Sequence, residues 1–337
     1  MRRTRCCVIE VRRGGRVESR HRISAALLDA QEQLLAWLGD PEFFTFFRST
    51  AKPFQALPLV ADGVTEAFEL TDRELALCCA SHSGEPAHVE TVRALLNKIG
   101  CSEDDLECGA HWPLHRPSAE ALIRECGAPS PIHNNCSGKH AGMLAWARHR
   151  GVETKGYRRA DHPVQARVCC ELGTWTNSTC EALPRGTDGC GVVSFAGPLN
   201  VIAGAYAQLV AAARRDPDGP AGVVTAAMTR EPYFVGGTGR LSTRLMEVTN
   251  GRLLAKNGAD GVFAVGDRER GWGLTLKVED GCDRAVGPAV VEFLAQVDLL
   301  EADEVLALDE HHIGAVTNTV GEIVGEVRPD FRIEKVE

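Results

Sequence analysis

RCCVIEVRRGGRVESRHRISAALLDA, residues 5–30, holds two apolar/polar alternating runs divided by Gly14 and Gly15. Alternation with a period of two marks a half-buried strand, and paired glycines mark a turn, so the stretch reads as a hairpin. EQLLAWLGD (32–40) extends it into a β-meander. The same pattern returns at the other end of the chain in RLLAK (252–256), GVFAVGD (261–267) and GWGLTLKVED (271–280), then more weakly in AVTNTV and GEIVGEV. Between these strand-rich ends the chain reads as helical: PAHVETVRALLNKIG with a first-turn proline, SAEALIREC, HPVQARVCCELGTW, and Leu199 to Arg214. A further helix is RAVGPAVVEFLAQVDLL. The expected fold is therefore α/β (α+β), a single antiparallel sheet built from N- and C-terminal strands and flanked by helices. One domain over 1–337 with a helical middle at roughly 60–250 is the first reading, and a division near residue 150 is the alternative.

The 337 residues are 44% hydrophobic and carry a formal net charge of −9. That supplies a substantial core, and the acidic balance argues against nucleic acid as a partner. Charges interrupt the basic N-terminus too soon for a signal peptide. The longest apolar run, residues 201–213, is shorter than the ~18 to 20 residues of a membrane span. A cytoplasmic protein is expected, with no membrane partner. Its thirteen cysteines are then expected as reduced thiols, with the pairs Cys6-Cys7, Cys78-Cys79 and Cys169-Cys170 filling the core.

Four stretches carry candidate chemistry. In RSTAKPFQALP (48–58), Ser49 precedes Lys52 by three residues, one turn apart on a shared face if a helix starts here. Only seven of the 37 basic residues are lysine, the one of the two types that can serve as a base. A neutral lysine can activate a serine hydroxyl, while an N-cap serine beside a solvated lysine is the bland alternative. ASHSGEP (80–86) offers Ser81, His82 and Ser83 after an apolar helix. IHNNCSGKHAGM (132–143) sets Cys136, Lys139 and His140 at helical spacing, and TDGCGV adds Asp188 and Cys190. Two thiols with nitrogen donors suit zinc, and spacing alone would nominate His140 as the third ligand. Cysteines that merely pack are the alternative. LLAKNGADG places Lys256 at a strand end before a glycine-rich turn, and GGTGR (236–240) is a flexible loop carrying Arg240. The order Ser-x-x-Lys, Ser-x-Ser, Lys-x-Gly is a partial match to serine β-lactamases and penicillin-binding proteins.

Taken together, RSTAKPFQALPLV, SHSGEPAHVETVRALL, NNCSGKHAGM, DHPVQ, DGCG and AKNGADGVFAVG resemble the rhizobial-type (class 3) L-asparaginases of the asparaginase II family. The resemblance implies a fold similar to serine β-lactamases and β-lactamase-like glutaminases, a homodimer, and hydrolysis of L-asparagine to L-aspartate and ammonia. It implies two catalytic Ser-Lys tandems, Ser49 with Lys52 and Ser81 with Lys256. It also implies zinc held by Cys136, Lys139 and Cys190, which displaces His140 to a substrate-contacting or supporting position. Arg48 is a candidate for the substrate carboxylate and Asp188 for its ammonium, with His82, Asn135, His140 and Arg240 as further substrate contacts. Ser49 is the favoured attacker. Glutaminase, a β-lactamase-like serine hydrolase, and a non-catalytic zinc- or amino-acid-binding module are the competing readings.

Overall fold

The computed structural model describes residues 8–336, so Cys6 and Cys7 lie outside the described residues. The chain forms two compact units, each assembled from separate segments. The first comprises the segment ending at Thr45, Gly197–Ala211 and the segment from Arg244 onward; the second comprises Phe46–Ala196 and Ala212–Thr243. Residue 150 lies inside the second unit.

In chain order the strands are β1 (Val8–Arg13), β2 (Arg16–Leu28), β3 (Leu34–Leu38), β4 (Phe44–Phe46), β5 (Arg185–Thr187), β6 (Val193–Pro198), β7 (Leu253–Asn257), β8 (Val262–Asp267), β9 (Trp272–Val278), β10 (Gly314–Thr317), β11 (Ile323–Asp330) and β12 (Glu334–Lys335). The first unit holds a nine-stranded sheet in the order β10-β11-β1-β2-β9-β8-β7, with β3 also on β2 and β12 on β3. The registers are antiparallel, and Val8–Arg13 faces Gly325–Asp330, so strands from the two ends of the chain do share one sheet. β2 serves two sets of neighbours: its first half pairs with β1, while Ile23–Leu28 pairs with β9. The burial of β2 follows this division. Arg16–Arg22 is mostly exposed, with only His21 buried, whereas Ile23–Leu28 is buried throughout, as expected where both faces are covered.

Part of that cover is the helix Leu199–Arg215, whose Leu199 and Ala203 pack on Ala26 and Leu28. The approach is closer than ordinary side chains permit. A Cβ at Gly273 would sit 2.0 Å from the Ala203 carbonyl oxygen and 2.4 Å from the Ala207 nitrogen; one at Gly266, the cross-strand partner of Gly273, would sit 2.5 Å from Val210 Cγ1. The alanine-rich run 201–213 is thus a helix seated on a pair of strand glycines. Among the described residues no helix is long and apolar enough to cross a membrane.

The second unit is mainly helical, with one hairpin between β5 and β6. Its central helix, Ser137–Arg150, is buried continuously from Ser137 to Ala147. Gly138 and Gly142 bring it against the helix Asp72–Cys78: a Cβ at Gly138 would meet the Leu77 oxygen at 2.3 Å, and one at Gly142 the Cys78 Sγ at 2.9 Å. Cys78 and Cys79 are buried, as expected of core residues. The third cysteine pair departs from expectation. Cys169 forms a disulfide with Cys180, Cα atoms 5.2 Å apart, and Cys170 is exposed. Successive helix positions point ~100° apart, so only one of the two thiols can face inward. The chain then folds back closely after the helix Pro163–Trp175, the Ser178 oxygen lying 2.8 Å from where a Gly173 Cβ would be.

Gly273→Ala tests the helix–sheet contact, since the obstructing atoms are backbone and cannot rotate away. The substitution is expected to destabilise the protein by about 1–3 kcal/mol, the usual cost of overpacking, measured as a lowered midpoint of denaturant unfolding with an unchanged slope.

Candidate active site

The helix Lys52–Ala61 does begin within RSTAK, preceded by a single 3₁₀ turn, Arg48–Ala51. Two contacts pin the turn from behind: Phe47 N–H donates to the Phe195 carbonyl at 2.9 Å, and Thr50 Oγ1 donates to the Phe47 carbonyl at 2.7 Å. Arg48 enters the turn with φ +50°, a left-handed conformation unfavourable for a residue with a Cβ. Its guanidinium Nε bonds Asp188 Oδ1 at 2.8 Å, so the two proposed substrate contacts, read separately from the sequence, are partners of one another.

Lys52 is 1% exposed. Its Nζ donates to the Ala80 carbonyl at 2.5 Å and to Ser81 Oγ at 3.0 Å. Ser81, itself buried, is held by its own N–H on the Val235 carbonyl at 3.0 Å. Ser49 lies one turn before Lys52 and is partly exposed, and its hydroxyl has no hydrogen-bond partner among the described residues. Lys256 belongs to the first unit, where it is buried on β7 and its Nζ bonds Asn257 O at 2.9 Å and Oδ1 at 3.1 Å.

The thiols converge in the second unit. Cys136 stands at the start of the helix Ser137–Arg150, and its Sγ shares a hydrogen bond with Cys190 and lies 2.9 Å from Asn135 Oδ1. Lys139 Nζ donates to Cys190 Sγ at 2.9 Å, and Asp188 Oδ2 is 3.7 Å from the same sulfur. Three effects set the charges. The bond from Cys190 holds the Cys136 thiol well below its ordinary range despite burial, with Lys52 and Lys139 adding positive charge. Cys190 is pushed up, chiefly as the proton-holding partner of Cys136 and then by burial. Burial disfavours charge on Lys139, but Cys136, Cys190 and Asp188 outweigh it and raise its pKa. Among the described residues no cluster of three or more His, Cys, Asp or Glu side chains could hold a metal. A zinc site here therefore needs the lysine amine as its third donor. Two sulfurs and a nitrogen within hydrogen-bonding reach fit zinc's preference for N and S ligands.

The two histidines are fixed differently. His82 Nδ1 accepts from the Gly84 N–H at 3.1 Å, leaving Nε2–H to bond Ser137 Oγ at 2.9 Å. Both ring nitrogens are thus used in joining the SHSGE loop to the helix Ser137–Arg150. Burial, reinforced by His88 and Lys52, pushes its pKa well down. His140 Nδ1 lies 2.5 Å from Tyr157 Oη, which already accepts the Glu107 N–H at 2.9 Å. With the phenol proton donated to Nδ1, the imidazole proton sits on Nε2, a buried atom with no protein partner among the described residues. Burial and then the charge of Lys139 keep His140 neutral. Arg240 lies in the loop following Val235, its N–H on the Gly237 carbonyl at 3.4 Å.

The sequence reading missed Ala80 and Tyr157. One acts through a backbone carbonyl and the other lies far along the chain, so neither leaves a motif. It also missed Glu85 and Thr238, joined side chain to side chain at 2.7 Å across 153 residues.

A serine hydroxyl bonded to a buried lysine amine, with an ion pair and two thiols close by, is equipment of the kind a hydrolase uses. The chain matches L-asparaginase II over residues 9–329 and belongs to that family, whose members hydrolyse amides. Among solved structures it is similar to a β-lactamase from Mycobacterium bovis, at 16% identity over 86% of this chain and 95% of that chain, with a TM-score of 0.39. No curated protein matches it.

Asp188 gives this site an acid-labile element. Burial would raise its pKa, but the charge of Lys139 and the bond from Arg48 outweigh that and lower it. A depressed folded-state pKa contributes stability above the unfolded value of about 3.9 and loses it as pH falls through the folded value. Asp188→Asn should therefore unfold more readily than wild type at neutral pH, with the difference shrinking below about pH 4. A difference independent of pH would contradict the assignment.

Proposed function

We propose that the protein is an L-asparagine amidohydrolase in which Ser49 attacks the side-chain amide carbon and Lys52 takes the serine proton. The observation that supports this reading is the hydrogen bonding of Lys52. In the base form that this step requires, the Lys52 amine would have two N–H donors and one lone pair. Ala80 O and Ser81 Oγ occupy the two donors, which leaves the lone pair for an incoming proton. The hydroxyl carried one turn before Lys52 is that of Ser49, which has no protein partner among the described residues. The proton accepted by Lys52 passes to the departing ammonia, and an aspartyl ester forms on Ser49. Water then attacks the ester, giving its proton to Lys52, which returns it to Ser49 Oγ as the ester C–O bond breaks and aspartate leaves. Backbone N–H groups placed at the developing oxyanion would contribute about 2.7–4 kcal/mol each.

The Arg48–Asp188 pair suits an α-amino acid. A bound zwitterion can set its carboxylate on the guanidinium and its ammonium on the carboxylate, replacing one ion pair with two. His140 Nε2–H would offer a further donor. Zinc would be held by Cys136, Lys139 and Cys190, and when bound it would supply positive charge that helps place the substrate. Asparagine is proposed over glutamine on family grounds; the two differ by one methylene, worth only ~1–3 kcal/mol in a pocket.

Ammonia release from asparagine and glutamine, measured side by side, tests the substrate. Ser49→Ala and Lys52→Ala are each expected to lower kcat by about 10³-fold or more, Ser49→Ala with little change in thermal stability, and the double variant should lose little more kcat than either single one. Full activity in Ser49→Ala would overturn the assignment of the attacker.

Zinc uptake should displace protons from Cys190 and Lys139, so affinity should rise with pH between about 6 and 8. Calorimetry in buffers of different ionisation enthalpy reads the protons released, and Cys136→Ser should lose the metal. Chelation is expected to raise KM more than it lowers kcat.

A further inference from the structure

Two loops of the second unit are stitched together around Glu85. Ser81 N–H donates to Val235 O at 3.0 Å, and Ser83 Oγ donates to Gly236 O at 2.9 Å. Glu85 then takes both donors of one residue: Oε1 accepts the Thr238 N–H at 2.8 Å and Oε2 the Thr238 Oγ1–H at 2.7 Å. Glu85 N–H bonds His88 Nδ1 at 3.2 Å, which turns His88 Nε2–H onto Tyr233 O at 3.0 Å. The loops meet so closely that a Cβ at Gly237, where φ is +115°, would lie 2.6 Å from Glu85 Oε1 and 2.7 Å from Ser83 Oγ.

Glu85 is a carboxylate with only 8% of its side chain exposed, and His115 Nδ1 lies 3.9 Å from its Oε2. A buried carboxylate is costly unless hydrogen bonds satisfy it. The Thr238 donors do so, and a helix N-cap alone does not call for that arrangement. None of these bonds touches a position where substrate is proposed to sit, yet Val235, three residues before Thr238, supplies the carbonyl that fixes Ser81.

We propose that Glu85 is a positioning residue: it latches the 235–240 loop to the 81–85 loop and, through the Val235 carbonyl, holds the Ser81 hydroxyl on the Lys52 amine. The catalytic part of this rests on the reading of Ser81 and Lys52 given above. Misplacing a reacting group by about 1 Å can cost on the order of 10²-fold in rate. Glu85→Ala should therefore lower kcat by about 10- to 100-fold while KM changes little. Glu85→Gln keeps an acceptor for the Thr238 N–H and offers its amide to Thr238 Oγ1, so it should restore most of the rate.

Amide hydrogen exchange on the full-length protein separates the latch from the chemistry. In Glu85→Ala the Ser81 amide, which does not touch Glu85, is expected to exchange at least about 10-fold faster, because its acceptor is released. Amides of the helix Ser137–Arg150 should stay protected. Thr238→Val, which deletes only the Oγ1 bond, should show the same acceleration in smaller measure and serves if Glu85→Ala fails to fold. Unchanged exchange at Ser81 in these variants, or activity within twofold of wild type in Glu85→Ala, overturns the proposal. Full activity in Ser81→Ala would instead overturn the catalytic reading, and the latch would then be judged on exchange alone.

Discussion

Lys52 brings an amine into the interior of the second unit, and a buried polar nitrogen without partners costs roughly 1–3 kcal/mol or more. Its two acceptors, Ala80 O and Ser81 Oγ, both come from the segment that follows the helix Asp72–Cys78. Satisfying the amine therefore ties the start of one helix to the end of another. The 3₁₀ turn carrying Ser49, the His82–Ser137 bond and the Ser81–Val235 bond all lie around that tie. The same burial that makes the lysine expensive keeps water from competing for its hydrogen bonds.

Close packing without side chains serves both units. In the first, Gly266 and Gly273 admit the alanine-rich helix onto β8 and β9; in the second, Gly138 and Gly142 admit the helix Ser137–Arg150 onto the helix Asp72–Cys78. The second case bears on the site directly. Cys136 and Lys139 belong to the helix seated by Gly138, and Ala80 and Ser81 follow the helix it sits on. Gly138 is thus a packing residue placed between the ligand candidates Cys136 and Lys139, and Gly142 follows one turn on, so the spacing of the motif serves both purposes.

Charge in the site is arranged as mutual compensation. Arg48 meets Asp188; Lys139 meets Cys190; and the Cys136 thiol is acidified by its neighbour and by two lysines. The neutral histidines, His82 and His140, add hydrogen-bond direction without adding charge. Among the described residues, His140 Nε2 is a buried atom without a protein partner and the partly exposed Ser49 hydroxyl bonds no protein group, and both stand out in this arrangement.

Much of this was legible along the chain. Short strand-like runs bounded by glycine turns marked VIEVRR, RVESRHRISAALL, VFAVGD and WGLTLKV as strands. Burial with a period of two did not follow: Val8–Val11, Val262–Asp267 and Gly273–Val278 are buried throughout, because other elements cover both faces. The start of a helix at RSTAK determined that Ser49 and Lys52 lie a turn apart. Tertiary structure alone decided the partner of Lys52, which is Ser81 Oγ, 29 residues away, in hydrogen bonding that leaves Ser49 unengaged. It also decided that Arg48 and Asp188 form one pair, that Cys169 is bonded to Cys180 where packed thiols were expected, and that Glu85 reaches Thr238. These are contacts between residues far apart in sequence, and spacing carries no record of them. A residue's type limits what it can bond to, but which atoms come within 3 Å of it depends on how the helices and loops pack.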